Sequence, residues 1–137
     1  MRWMISIAGE TVSPALEQCG RLLCVETEAG RTTGVRTIEL ERGECLELIQ
    51  TLRREDPDVL LCGALCSQLY CMLAGHGLDV RPFLCGDAEE LLDLCIRCRP
   101  IPDEHVMPGC GELARRRYPY WTSWTLPPQP RGDRDGS

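Results

Sequence analysis

Residues 58–98, DVLLCGALCSQLYCMLAGHGLDVRPFLCGDAEELLDLCIRC, decide the fold. Val59 to Cys62 is an unbroken apolar run between Pro57 and Gly63, the pattern of a strand buried on both faces. From Cys66 to Ala74 the rhythm becomes helical, with Leu69, Met72 and Leu73 facing inward and Gly77 placed for a left-handed C-cap. Asp79 to Leu84 reads as a second strand. Asp87 then stands as N-cap with Glu90 three positions later, and Ala88, Leu91, Leu92 and Cys95 form one face of a helix ending near Arg99. Strand, helix, strand, helix in this order implies a right-handed crossover between parallel strands.

Upstream, Cys45, Leu48, Ile49 and Leu52 recur at helical spacing over Glu44 to Glu55. Met4 to Ala8, Leu22 to Thr27 and Thr33 to Leu40 read as strands of an antiparallel meander turning at Glu28, Ala29 and Gly30. Ser13-Pro14 leads a segment through Cys19 with room for one helical turn. The expected fold class is therefore α/β: a mixed five-stranded sheet, three antiparallel strands followed by a parallel β-α-β unit, with three main helices. Residues 1–100 form the expected domain. Residues 101–137 are expected to be an extended, flexible C-terminal tail, given the Pro, Gly and charge of its last stretch.

Composition narrows the function classes. The chain has 137 residues and a formal net charge of -6, so nucleic acid and anionic membranes, which need clustered cations, are not expected partners. MRWMISIAGE turns polar too early for a signal peptide, and no apolar run approaches the roughly 20 residues of a membrane span. The expectation is a cytoplasmic protein, with its 10 cysteines reduced. Reduced thiols serve as small buried hydrophobes or as soft ligands for iron, copper and zinc.

Three cysteines fall where parallel strands end and helices begin, the usual place for ligands. Cys62 closes one strand, Cys66 opens the next helix and Cys85 closes the following strand. Helix amino termini favour thiolates, and Gly63 and Gly86 would let a bulky cluster approach the backbone. The same positions also suit cysteine as a small packing residue. Cys95 and Cys98 form a C-x-x-C without a second clean pair, and Cys95, Cys24 and Cys45 read as core. His76 lies at a helix end, where capping explains it. His105, Met107 and Cys110, preceded by Asp103 and Glu104, offer a loop ligand set or an ordinary linker. Arg115 to Arg117 followed by Tyr118, Tyr120, Trp121 and Trp124 suggests a tail docking on its own domain or on another protein. Arg131-Gly132-Asp133 reads as a chance tripeptide. Phosphate-cradling, dinucleotide-binding and H-E-x-x-H motifs are missing, and the expected strand interiors lack the carboxylates of two-metal nucleases, so no enzyme activity is expected.

VSPALEQCGRLLCVETEAG, the 58–98 stretch and MPGC followed by Arg115 to Arg117 together resemble the dinitrogenase iron-molybdenum cofactor biosynthesis family, which includes NifX-like carriers and the domain appended to NifB. The resemblance implies a ribonuclease H-like fold without nuclease work. It implies binding or transfer of iron-sulfur or iron-molybdenum cofactor intermediates, exchanged with cluster donor or recipient proteins. By matching motifs, Cys62 falls on the family's strand-end cysteine and Cys110 on its tail cysteine. Ala64 and Cys66 depart from the pattern, standing where glycines are usual.

The leading expectation is a non-catalytic carrier, with Cys62, Cys66, Cys85 and Cys110 as metal ligands beside Gly63 and Gly86. The alternatives are a protein-interaction or redox-sensing module, and a structural zinc protein. Cargo and oligomeric state are not fixed by these residues.

Overall fold

The computed structural model describes residues 1–41 and 44–130. β1 (Arg2–Ala8) is the centre of the sheet because its side chains are wanted on both faces. Met4 joins one buried cluster, whereas Trp3, Ile5 and Ile7 join another. That two-sided burial is what the period of 2 along a strand produces when helices cover both faces.

β2 (Thr11–Val12) folds back on the end of β1. β3 (Arg21–Glu28) pairs antiparallel with β1, and β4 (Arg31–Glu39) continues the meander through the Ala29-Gly30 turn, where φ is +52° and +77°. Positive φ at both central residues matches the hairpin turn whose twist suits the strands. β5 (Val59–Leu61) lies parallel to β1 on its other side, and β6 (Asp79–Arg81) lies parallel to β5. The sheet is open and mixed, with order β4-β3-β1-β5-β6 and β2 attached to β1.

Helices cover both faces. α1 (Cys45–Glu55) contributes Leu48 and Leu52, and α2 (Ser67–Gly75) contributes Leu69, Tyr70 and Leu73, to the cluster that holds Met4, Leu22, Leu60 and Val80. α3 (Ala88–Ile96) packs Ala88, Leu91 and Leu92 on Ile5, Val59 and Leu61 at the opposite face. Its amino end is capped as the sequence reads, with the Glu90 N–H donating to the Asp87 carboxylate at 2.9 Å. Leu16–Gln18 supplies the single short turn expected after Ser13-Pro14.

Two expectations are corrected. The sheet has six strands and the chain has four α-helices among the described residues, where five and three were expected. β2 is too short to show an alternation, and α4 (Cys110–Arg117) buries only Ala114, so neither has a legible pattern. The strand expected over 79–84 also stops at Arg81. Pro82 has no N–H for a ladder and Phe83 turns to φ +64°, which breaks the extended run.

The stretch after residue 100 is fastened to the domain rather than trailing from it. Cys85 N–H donates to the His105 carbonyl and Met107 N–H to the Phe83 carbonyl, both at 2.8 Å, and Leu84 bridges Val106 antiparallel. Tyr118 is buried among Tyr70 and Phe83 in edge-to-face contact, and its hydroxyl donates to the Leu65 carbonyl at 2.5 Å. Arg81 donates to the Ser123 and Leu126 carbonyls at 2.6 and 2.8 Å, and Trp124 Nε1–H donates to the Pro82 carbonyl at 2.8 Å. This is the docking on its own domain that the Arg-Tyr-Trp segment suggested. Arg131-Gly132-Asp133, and the rest of 131–137, lie outside the described residues.

Candidate functional site

The carboxyl ends of β5 and β6 carry the cysteines that the sequence singles out, but in different environments. Cys62 follows β5 directly and is fully buried in the cluster under α1 and α2. Burial, reinforced by Cys19 and Glu17, pushes its thiol far above the usual range. A thiol held neutral and out of contact with solvent is a packing group, not an accessible ligand.

Cys66 is the opposite case. It is exposed and caps α2, its Sγ accepting the Leu69 N–H at 3.4 Å, while its own N–H donates to the Glu17 carboxylate at 3.3 Å. The sulfur thus takes up one of the free N–H groups of the helix's first turn. Cys45, expected in the core, is half-buried at the start of α1. Its thiol is pushed up by burial and then by Glu17 and Cys66. No sequence signal joins Glu17 to Cys66, because they come from separate segments.

Cys85 is half-buried and lies in the loop into α3, its Sγ 3.5 Å from the Glu104 carbonyl. Cys110 is half-buried in the first turn of α4, 3.7 Å from the Pro108 carbonyl. The four proposed sulfur ligands do not make one compact set. Among the described residues, the one group of three or more His, Cys, Asp or Glu ligand atoms within 4.8 Å of one another is Glu90, Glu104 and His105.

The two glycines expected to admit a cluster are filled by the chain itself. A Cβ on Gly63 would stand 2.6 Å from the Pro14 carbonyl oxygen and closer still to that of Ser13. A Cβ on Gly86, at φ +93°, would stand 2.7 Å from His105 Nδ1. Both glycines serve close packing of the domain's own segments. Elsewhere the readings of ordinary roles hold: Cys24 is buried, Cys95 packs against the α3-side cluster, and the His76 ring lies 2.7 Å from the Met72 carbonyl at the end of α2.

The buried thiols give a pH prediction. Burial raises Cys19 and Cys95 from 9.0 to about 11. In the unfolded chain these thiols ionise first, so the stability that comes from keeping them neutral is complete below pH 9.0 and is lost as pH rises toward about 11. The urea midpoint is expected to fall across that window. A midpoint that stays flat there in wild type, with no difference from Cys19→Ala, rules the effect out.

No family model matches the chain, and no curated protein matches it. Solved structures share its fold. The protein PH0822 matches with a TM-score of 0.66 at 16% identity, over 72% of this chain and 91% of its own. A provisionally named dinitrogenase from Methanocaldococcus jannaschii matches with a TM-score of 0.59 at 16% identity, over 71% of this chain and 88% of that one. A provisionally named NifB protein from Thermotoga, placed in the DUF35 family, matches with a TM-score of 0.53 at 21% identity, over 68% and 84% of the two chains. At these identities the likeness establishes a shared α/β fold.

Proposed function

We propose that this protein is a non-catalytic carrier or accessory protein for metal-sulfur clusters of the iron-sulfur or iron-molybdenum cofactor type. The observation that carries the reading is Cys66, an exposed thiol at the amino end of α2, whose N–H meets the Glu17 carboxylate. Thiolates are the soft ligands such clusters need, and a shallow, partly solvated site releases its cargo more readily than a closed one. The fold, which on this reading is a ribonuclease H-like arrangement, is shared with proteins that carry the names dinitrogenase and NifB. Cluster donors and recipients in the cytoplasm are the corresponding partners.

The ligand centre on this reading moves from the Cys62, Cys66 and Cys85 trio to the exposed Cys66. Cys85 and Cys110 remain as outlying thiols. Anaerobic reconstitution with iron and sulfide tests this. Wild type is expected to hold iron with sulfide-to-iron absorption, and Cys66→Ser to retain at least roughly tenfold less, whereas Cys98→Ser keeps wild-type loading. A colourless, iron-free wild-type protein sinks the carrier reading.

An interaction module with the same fold is favoured by one feature, the long β4 edge, which pairs only with β3 among the described residues and exposes Val35 at 62%. On that reading a Val35→Lys variant loses partner capture while iron loading fails in every variant.

A further inference from the structure

We propose that His105, Glu90 and Glu104 form a binding site for a borderline divalent cation of the zinc and iron(II) class, separate from the thiol region around Cys66. The proposal goes beyond the carrier reading and does not depend on it. Three observations carry it.

The first is the state of His105. Its side chain is 5% exposed, and its Nδ1–H donates to the Cys85 carbonyl at 2.9 Å. A carbonyl only accepts, so Nδ1 carries the proton of this hydrogen bond and Nε2 is the ring nitrogen left to meet an ion. A backbone carbonyl on the far nitrogen is the usual way a metal-binding imidazole is held in tautomer and orientation. Gly86 makes this hydrogen bond reachable, because any Cβ there would collide with Nδ1.

The second is that Nε2 is buried and has no hydrogen-bond partner in the structure. A buried ring nitrogen left bare is costly, and native structures nearly always supply a partner. The nearest acidic oxygen, Glu90 Oε1, lies 3.6 Å away, too long for a hydrogen bond and short enough for both atoms to ligate one ion.

The third is the donor set. Ligand atoms of Glu90, Glu104 and His105 all lie within 4.8 Å of one another. Glu90 stands in the first turn of α3, fixed by its N–H to Asp87, and Glu104 and His105 belong to the short turn Asp103–His105. Two carboxylates beside an imidazole are a donor set of the charge that a dication calls for. Nitrogen with two oxygens suits zinc-class and iron(II)-class ions rather than the thiolate chemistry proposed at Cys66. A bound ion would tie the start of the C-terminal segment to α3.

Cobalt(II) titration of the full chain tests the site, because its spectrum separates the two kinds of ligand. Cobalt bound here shows d–d absorption without thiolate-to-metal charge transfer, and that component is expected to persist in Cys66→Ser. It is expected to weaken by at least roughly tenfold in Glu90→Gln and in His105→Gln. Glu90 is 60% exposed, so Glu90→Gln leaves folding intact and keeps the test valid if His105→Gln does not fold. The proposal is overturned if all bound cobalt carries the thiolate band. It is equally overturned if Glu90→Gln binds cobalt as wild type does, which would leave a His105–Glu90 ion pair as the reason for the geometry. Failure of iron loading at Cys66 has no bearing on either outcome.

Discussion

Arg81→Ala is expected to cost about 3–5 kcal/mol of folding stability and to release the C-terminal segment. Arg81 ends β6 at 3% exposure, a charge that deep burial would forbid without partners. Asp79 takes two of its nitrogens at 2.7 and 2.9 Å, and the Ser123 and Leu126 carbonyls take a third. Removing the guanidinium strands a largely buried carboxylate and two carbonyls, and the loss of partners is what makes the cost high. Arg81→Lys keeps the charge but not the planar fork, so it is expected to recover only part of the stability. Urea denaturation measures the cost, and limited proteolysis within 119–130 measures release. A loss below about 1 kcal/mol with unchanged proteolysis would show that the segment is held by Tyr118 and Trp124 alone.

Gly63→Ala is expected to destabilise by about 3 kcal/mol, at the upper end of what overpacking costs. The clash is with backbone carbonyls, which have no rotamer to escape into. Those carbonyls are also pinned: Ala64 N–H donates to Pro14 O at 2.9 Å, Leu16 N–H to Ala64 O at 2.8 Å, and Ser13 N–H to Ser6 O at 2.9 Å. Gly34→Ala on β4 is the control, since a Cβ there meets nothing within 4 Å, and its effect is expected to stay within about 1 kcal/mol. Thermal and urea unfolding decide between this close-packing role and one in which Gly63 makes room for a cluster. If Gly63 served a cluster, Gly63→Ala would keep its stability and lose only iron loading.

The β5-α2-β6-α3 unit was legible because each of its signals is local. The Val59 to Cys62 run, the Leu69, Met72 and Leu73 spacing, and Asp87 with Glu90 each act within one turn or one strand. The same holds for the meander, whose turn is written in Ala29-Gly30. α4 was not legible because its sequence, CGELARRR, places one residue in the core, and its docking comes from Tyr118 beyond its end. Charge near a helix terminus says little about what the helix touches.

The thiols divide in the same way. Periodicity alone puts Cys62 at a strand end and Cys66 at a helix start, as the structure has them, whereas Cys85, read as closing a strand, lies in the loop four residues past the end of β6. Whether a sulfur reaches solvent depends on packing from other segments. Ser13 and Pro14 lie over Gly63 and Cys62 beside it is enclosed, while Cys66, four residues on, emerges beside Glu17.

The sequence by itself determined the α/β class, the parallel strand pair and the Asp87 cap of α3, because hydrophobic period and capping chemistry act over a few residues. Only the tertiary structure decided which thiols are accessible, what fills the space above Gly63 and Gly86, and that His105 meets Glu90. Each of those depends on segments far apart in the chain, and on space that is filled or left open only once the sheet has formed.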